Sequence, residues 1–183
     1  WSELINANIS YSNLTSAKLT RVNFENCNLS YSDLSNSTLN KSALNKTILK
    51  GCKIDYCNFY WTDIANSDIT EAEILHSNLE KADLRYCNFK DSSIKDSTIF
   101  WCDLSFSNLN ETRIIETNLE KTILRNCNME KADLSQSNLF KADLRNSNLK
   151  DAILKGTNIE KADFRGADLS NVDIESSENH FSA

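Results

Sequence analysis

Six cysteines (Cys27, Cys52, Cys57, Cys87, Cys102, Cys127) and two histidines (His76, His180) are the residues of this chain whose side chains could do the most chemistry if they met. Thiolates and imidazoles make nucleophiles, redox pairs and zinc sites. Their spacing supplies none of these. Cys52 and Cys57 stand five apart and form no CxxC, and neither histidine has a Cys, Asp or Glu at a metal-ligand interval. Ser and Thr are abundant, yet no Gly-rich phosphate loop accompanies them. The residues therefore point to no enzyme, with no catalytic, metal or cofactor-binding set and no cofactor.

Charged and aromatic residues recur more suggestively. Lys81, Trp101, Lys121 and Lys141 follow one another at intervals of twenty, extended backward by Arg21, Lys41 and Trp61 and flanked by Tyr60, Phe100 and Phe140. Basic residues interleaved with aromatics suit an acidic partner or stacked single-stranded bases. The plainer alternative is structural: adjacent Glu80, Glu120 and Glu160 offset the charge, and lysine stems pack on the rings. A second set, Glu71, Asp91, Glu111 and Asp151, keeps the interval of twenty but runs ten residues out of step with the first, and forms a candidate acidic surface on the opposite side. A third pairs Asp63, Asp83, Asp103, Asp143 and Asp163 with Arg85, Arg125, Arg145 and Arg165, which reads as a solvated ion-pair ladder.

What positions these sets is a clock of five residues. Leu79-Glu-Lys-Ala-Asp-Leu-Arg85 returns as Met129–Ser135, Leu139–Arg145 and Ile159–Arg165. From Leu4 to Ile174 every fifth residue is Leu, Ile, Phe or, once, Met129. Two residues before each stands Ser, Ala, Thr, Cys or Val, and Asn or Asp is preferred between them. Five suits neither a helix nor a continuous strand. It suits a short extended side followed by a turn, with the small and large residues inward and the residue between them outward.

All six cysteines occupy the small inward position, and no two lie twenty apart. They read as buried free thiols filling a space too narrow for a second large side chain.

This Ala-(Asp/Asn)-Leu-X-X register over residues 2–174 resembles the pentapeptide repeat family. The resemblance implies an all-β fold, a right-handed parallel β-helix of quadrilateral section with about 20 residues per coil and roughly 8–9 coils. At a strand spacing of ~4.8 Å such a rod is about 40 Å long. Right-handedness also follows from the general preference of parallel crossovers. Large residues then stack in four columns, one of them Phe24, Leu44, Ile64, Leu84, Leu104, Leu124, Leu144 and Phe164.

The chain reads as one domain over 1–174 with a tail over 175–183. It contains no proline, and its three glycines keep the register. The tail is expected to cap the last ring, Ile159, Phe164, Leu169 and Ile174, or to join two chains as a homodimer through the C-terminal end; Trp1 and Ile5 are expected to cover the first coil. The missing initiator Met suggests a trimmed or processed chain.

With 20 basic and 26 acidic side chains the formal charge is −6, which argues against direct nucleic-acid binding. No apolar run is long enough for a membrane span, and a cytoplasmic location is expected.

Two functions follow. One is a structural or protein-interaction module, a rigid charged rod with an unknown protein partner. The other is implied by the resemblance: some pentapeptide repeat proteins mimic B-DNA, bind type II topoisomerases such as DNA gyrase and protect them from quinolones. A duplex of ~40 Å carries about 24 negative charges, which sets a net −6 against the second reading. So does the absence of any register-breaking insertion.

Overall fold

The computed structural model describes residues 2–175. Among them the chain winds into a parallel β-helix, right-handed in sense, with no helix and no cis peptide bond. Each outward residue bridges the one twenty positions on, as in Asp63↔Asp83, Asp83↔Asp103 and Asn88↔Asn108. Sides one to four are centred on the columns of Phe24, Leu29, Leu34 and Leu39.

Three backbone amides of each five hydrogen-bond between coils. On side one, Leu84 N–H donates to Asp103 O (2.8 Å), Tyr86 N–H to Ser105 O (3.1 Å) and Asp83 N–H back to Thr62 O (3.0 Å). A fourth closes the corner, as when Ala82 N–H donates to Leu79 O at 3.0 Å. Stacking thus satisfies the main chain that short sides could not satisfy alone.

The corners carry a feature that composition hides. The second residue after every large one, from Asn6 to Asn171, has positive φ, in thirty-one non-glycine positions between 47° and 65° and in Gly51, Gly156 and Gly166. Left-handed backbone at the third turn position is the mark of a type II turn, normally left to Gly or Asn. Here Lys, Trp, Tyr, Glu and Phe accept it, because the same residue's amide enters the inter-coil ladder.

Four corners on side three open. There the chain runs on as β1 (Lys53–Asp55), β2 (Glu73–Leu75), β3 (Ser93–Lys95) and β4 (Arg113–Ile115), a parallel sheet in register Ile54↔Ile74, Ile74↔Ile94, Ile94↔Ile114. The inward residue that follows compensates. Ser77 Oγ donates to Leu75 O (2.7 Å), Ser97 Oγ to Lys95 O (2.9 Å) and Thr117 Oγ1 to Ile115 O (3.0 Å).

The interior is filled. In the column named above, Phe24 to Leu144 are at most 2% exposed, while Phe164, near the end, is only partly buried against the core. At the small position the side chain does more than fill space. Thr62 Oγ1 donates to Leu39 O (2.8 Å), Ser107 Oγ to Leu84 O (2.8 Å), and each cysteine thiol makes the same bond, Cys102 Sγ to Leu79 O at 2.8 Å among them. Cysteine here is a serine substitute as well as a small apolar group.

At the first coil Leu4 and Ile5 are each 40% exposed. Trp1, and the expected cap or dimer contact apart from Glu175, lie outside the described residues.

Candidate interaction surfaces

With the core filled and closed, the side chains that can meet another molecule are those of the corners and the outward side positions. Four corner columns run along the rod, each from residues in the left-handed turn position, twenty apart.

The corner after side four holds Lys81, Trp101, Lys121 and Lys141 together with Lys41, Trp61 and Lys161. Lys81 is clamped between two aromatic shelves: its Nζ lies 5.2 Å from the Tyr60 ring centre, 3.2 Å from Tyr60 Oη and 5.6 Å from the Trp101 ring centre. Lys121 sits over Phe100 (5.1 Å), and Lys141 and Lys161 over Phe140 (4.7 and 5.2 Å). Glu80, Glu120 and Glu160 pair with Lys81, Lys121 and Lys161 at 3.2, 3.0 and 2.9 Å. Hydrogen bonds that the Lys81 ammonium donates to Tyr60 and Glu80 hold it above the ordinary lysine value. Trp61 and Trp101 nonetheless remain 60% and 58% exposed.

The corner after side two brings Glu71, Asp91, Glu111 and Asp151 into one column, but not as a bare acidic edge. Lys50 pairs with Glu71 (3.1 Å), Lys90 with Asp91 (3.8 Å) and Lys131 with Glu111 (3.8 Å), and Asn171 Nδ2 donates to Asp151 (2.9 Å). Lys131 belongs to this same column and interrupts it. Tyr11 and Tyr31 stack at its N-terminal end, 5.3 Å between ring centres.

On side one the Asp and Arg residues pair mainly within a pentapeptide, Arg85 with Asp83 and Arg165 with Asp163, both at 2.6 Å. Asp143 is forked by Arg145 (2.9 Å) and by Arg125. Burial pushes the Asp143 carboxyl up, and the bonds from Arg145 and Arg125 outweigh it, holding the group well below the ordinary carboxylate range. The Asn column of side two is a true amide ladder, with Asn108, Asn128 and Asn148 each donating to the amide oxygen one coil back at 2.9, 3.4 and 3.1 Å.

The corner after side three holds an arrangement the sequence reading passed over. His76 stacks on Tyr56 (4.6 Å, 11° between planes), with Nδ1 2.9 Å from Asp55 and Nε2 3.9 Å from Asp96. These partners are 20 or 21 residues away, so metal-site intervals could not reveal them; writing out every corner column would have. Among the described residues no three of His, Cys, Asp and Glu are grouped to hold a metal ion. His180 lies outside the described residues.

All six cysteines are free and buried. Burial pushes the thiols of Cys87, Cys102 and Cys127 up to about 12 and that of Cys52 to about 11, the opposite of what a thiolate nucleophile requires.

The sequence profile described as pentapeptide repeats (8 copies) matches residues 2–40, 102–139 and 137–175, and that of a pentapeptide repeat region matches 31–100. The chain belongs to the pentapeptide repeat family. Among solved structures it is similar to HetL, a pentapeptide repeat protein involved in heterocyst differentiation regulation from the cyanobacterium Nostoc sp. strain PCC 7120. Identity is 23%, the TM-score 0.76, and the alignment covers 94% of this chain and 86% of HetL. It is also similar to trypsin-treated QnrB1, a plasmid-mediated fluoroquinolone resistance protein, at 20% identity and TM-score 0.50, covering 94% of this chain and 90% of the other. At these identities the likeness is one of fold. No curated protein sequence gives a significant match. Among the described residues no helix is long and apolar enough to cross a membrane.

Proposed function

We propose that this pentapeptide repeat protein is a non-catalytic interaction module, a rigid rod that presents its corner columns to a protein partner. The observation that carries the reading is the use of the inward positions. The large residues of the mid-rod core are packed away, and its thiols and most of its inward hydroxyls donate to carbonyls of the neighbouring coil, so specificity rests with the outward side chains. Among the described residues, the depressions along the corner of Trp61 and Trp101 open on the surface.

Affinity capture from the native host, run with charge reversals at Lys81 and Lys121 and separately at Glu71 and Glu111, tests it. A partner lost with one set and kept with the other is expected. Turnover of a small-molecule substrate by the purified rod would overturn the reading.

The DNA-mimic alternative is weakened by Lys50, Lys90 and Lys131, which pair with three of the four acids of the acidic corner. Inhibition of gyrase supercoiling at micromolar rod, lost on reversing Glu71 and Glu111, would restore it. End-to-end pairing through the C-terminal end remains part of the proposal, and light scattering on the chain with and without 175–183 tests it: a monomer in both cases removes it.

A further inference from the structure

The corner of Trp61 and Trp101 carries more detail than a general protein-binding role needs. Two open depressions adjoin along the rod axis there. One of about 540 Å³ is lined by Lys41, Trp61, Asp63, Lys81 and Asp83 among others, and one of about 270 Å³ by Trp61, Lys81 and Trp101. They share Trp61 and Lys81 and so form one shallow groove. Each Trp is braced edge-on by the preceding aromatic, Tyr60 at 6.4 Å and Phe100 at 6.1 Å. Among the described residues neither indole N–H donates a hydrogen bond within the protein.

The spacing selects a ligand. Trp61 and Trp101 stand two coils apart, about 9.6 Å at a strand spacing of ~4.8 Å. A polyproline II helix advances about 9.3 Å per three-residue turn. An extended β-strand repeats its same-face side chains at about 6.8 Å and falls out of step within one interval. Exposed indoles with free N–H groups are also the usual receptors for polyproline, stacking on the ring and donating to its carbonyls.

Charge sets the direction. Among the described residues Lys41 has only the Trp61 ring, at 5.6 Å, and no carboxylate within ion-pair distance. The neighbouring outward position, where the next three coils carry Asp63, Asp83 and Asp103, is Ala43. Lys81, by contrast, is already paired with Glu80, and Asp83 stands beside it. The uncompensated positive point is thus at the Lys41 end of the groove.

We infer that this corner binds a proline-rich segment in polyproline II conformation, its prolines on Trp61 and Trp101 and an acidic residue at its end facing Lys41. The inference rests on the interaction-module reading and names the partner's chemistry.

The test is titration of the intact rod with a synthetic peptide of about four polyproline II turns, proline at every third position and aspartates at one end. Tryptophan fluorescence and the indole N–H resonances, assigned with W61F and W101F, give the readout. Saturable binding with a Kd on the order of 100 µM is expected, weakened about tenfold by W61A or by W101A. K41E should weaken the aspartate peptide and leave an asparagine version unchanged.

Equal binding of a proline-free peptide of the same charge overturns the inference, as does binding indifferent to both Trp substitutions. Tighter, salt-sensitive binding of oligothymidylate would replace it with a single-stranded nucleic-acid site. A host protein retained equally by wild type and by the W61A/W101A double variant would remove this ligand while leaving the module reading standing.

Discussion

At Trp101 and at Glu111 the backbone is the same, with φ of 59° and 58°, each in a corner whose preceding large residue is fully buried. What covers the backbone differs. The Trp corner packs lysine stems on aromatic rings and leaves two indoles facing solvent. The acidic corner closes on itself through Lys50, Lys90 and Lys131. A solenoid thus separates the energetics of folding, which all corners share, from surface chemistry, which each column sets independently. Net charge misses this, because the same acids and bases count equally whether paired or not.

The largest expected effect removes what both corners share. Leu104→Asp places an unpaired carboxylate in a fully buried position and should cost more than ~4 kcal/mol, abolishing the folded rod. Circular dichroism during urea unfolding checks it. A Leu104 variant with the wild-type midpoint would mean that the corners fold without the column behind them.

Next comes alkaline pH, which contrasts the thiol behind each corner, Cys102 after Trp101 and Cys52 after Gly51. Both folded values lie above the unfolded value of about 8.5. Stability is therefore fully present below that pH and falls as pH rises toward about 11 for Cys52 and about 12 for Cys102. Cys52 should react with a thiol reagent at lower pH than Cys102, read by mass spectrometry of the labelled rod. The acid side has the opposite sign. Hydrogen bonds within the Asp33, Asp163 and Asp168 turns, and the arginine fork on Asp143, lower those carboxyls. Their contribution is present above the unfolded value of about 3.9 and lost below it.

Gly51→Ala sharpens the comparison at the acidic column. An added Cβ would lie 2.5 Å from the Tyr31 ring, so the Tyr11–Tyr31 stack must shift at a cost of ~1–2 kcal/mol. A melting temperature unchanged from wild type would show the stack to be freely mobile.

Smallest are the surface charges. Lys81→Ala should lower the urea midpoint slightly, part of the loss insensitive to salt because the aromatic shelves hold the lysine. Lys50→Ala should have a smaller effect still, one that vanishes in high salt. Equal salt dependence for the two would erase the distinction between the corners.

The five-residue clock made the architecture legible from the chain. Leu84 and Thr62 could be assigned inward, and Asp83 outward, without coordinates. The left-handed corner was not legible, since Lys, Trp and Glu there carry no turn signature and accept the conformation only because the neighbouring coil takes their amide. The site was legible in part. Columns through Lys81 and through Glu71 followed from counting by twenty, whereas His76 with Asp55 and Asp96 did not emerge from intervals sized for a single helix or loop.

The sequence alone determined the rod, because a large residue every fifth position can be buried only by stacking and any slip would turn that residue outward. Tertiary structure decided which charges meet. Asp83 takes the arginine of its own side, Glu71 a lysine one coil away and Lys41 no carboxylate among the described residues, since several partners stand at similar separations in a stacked coil and only side-chain reach chooses among them.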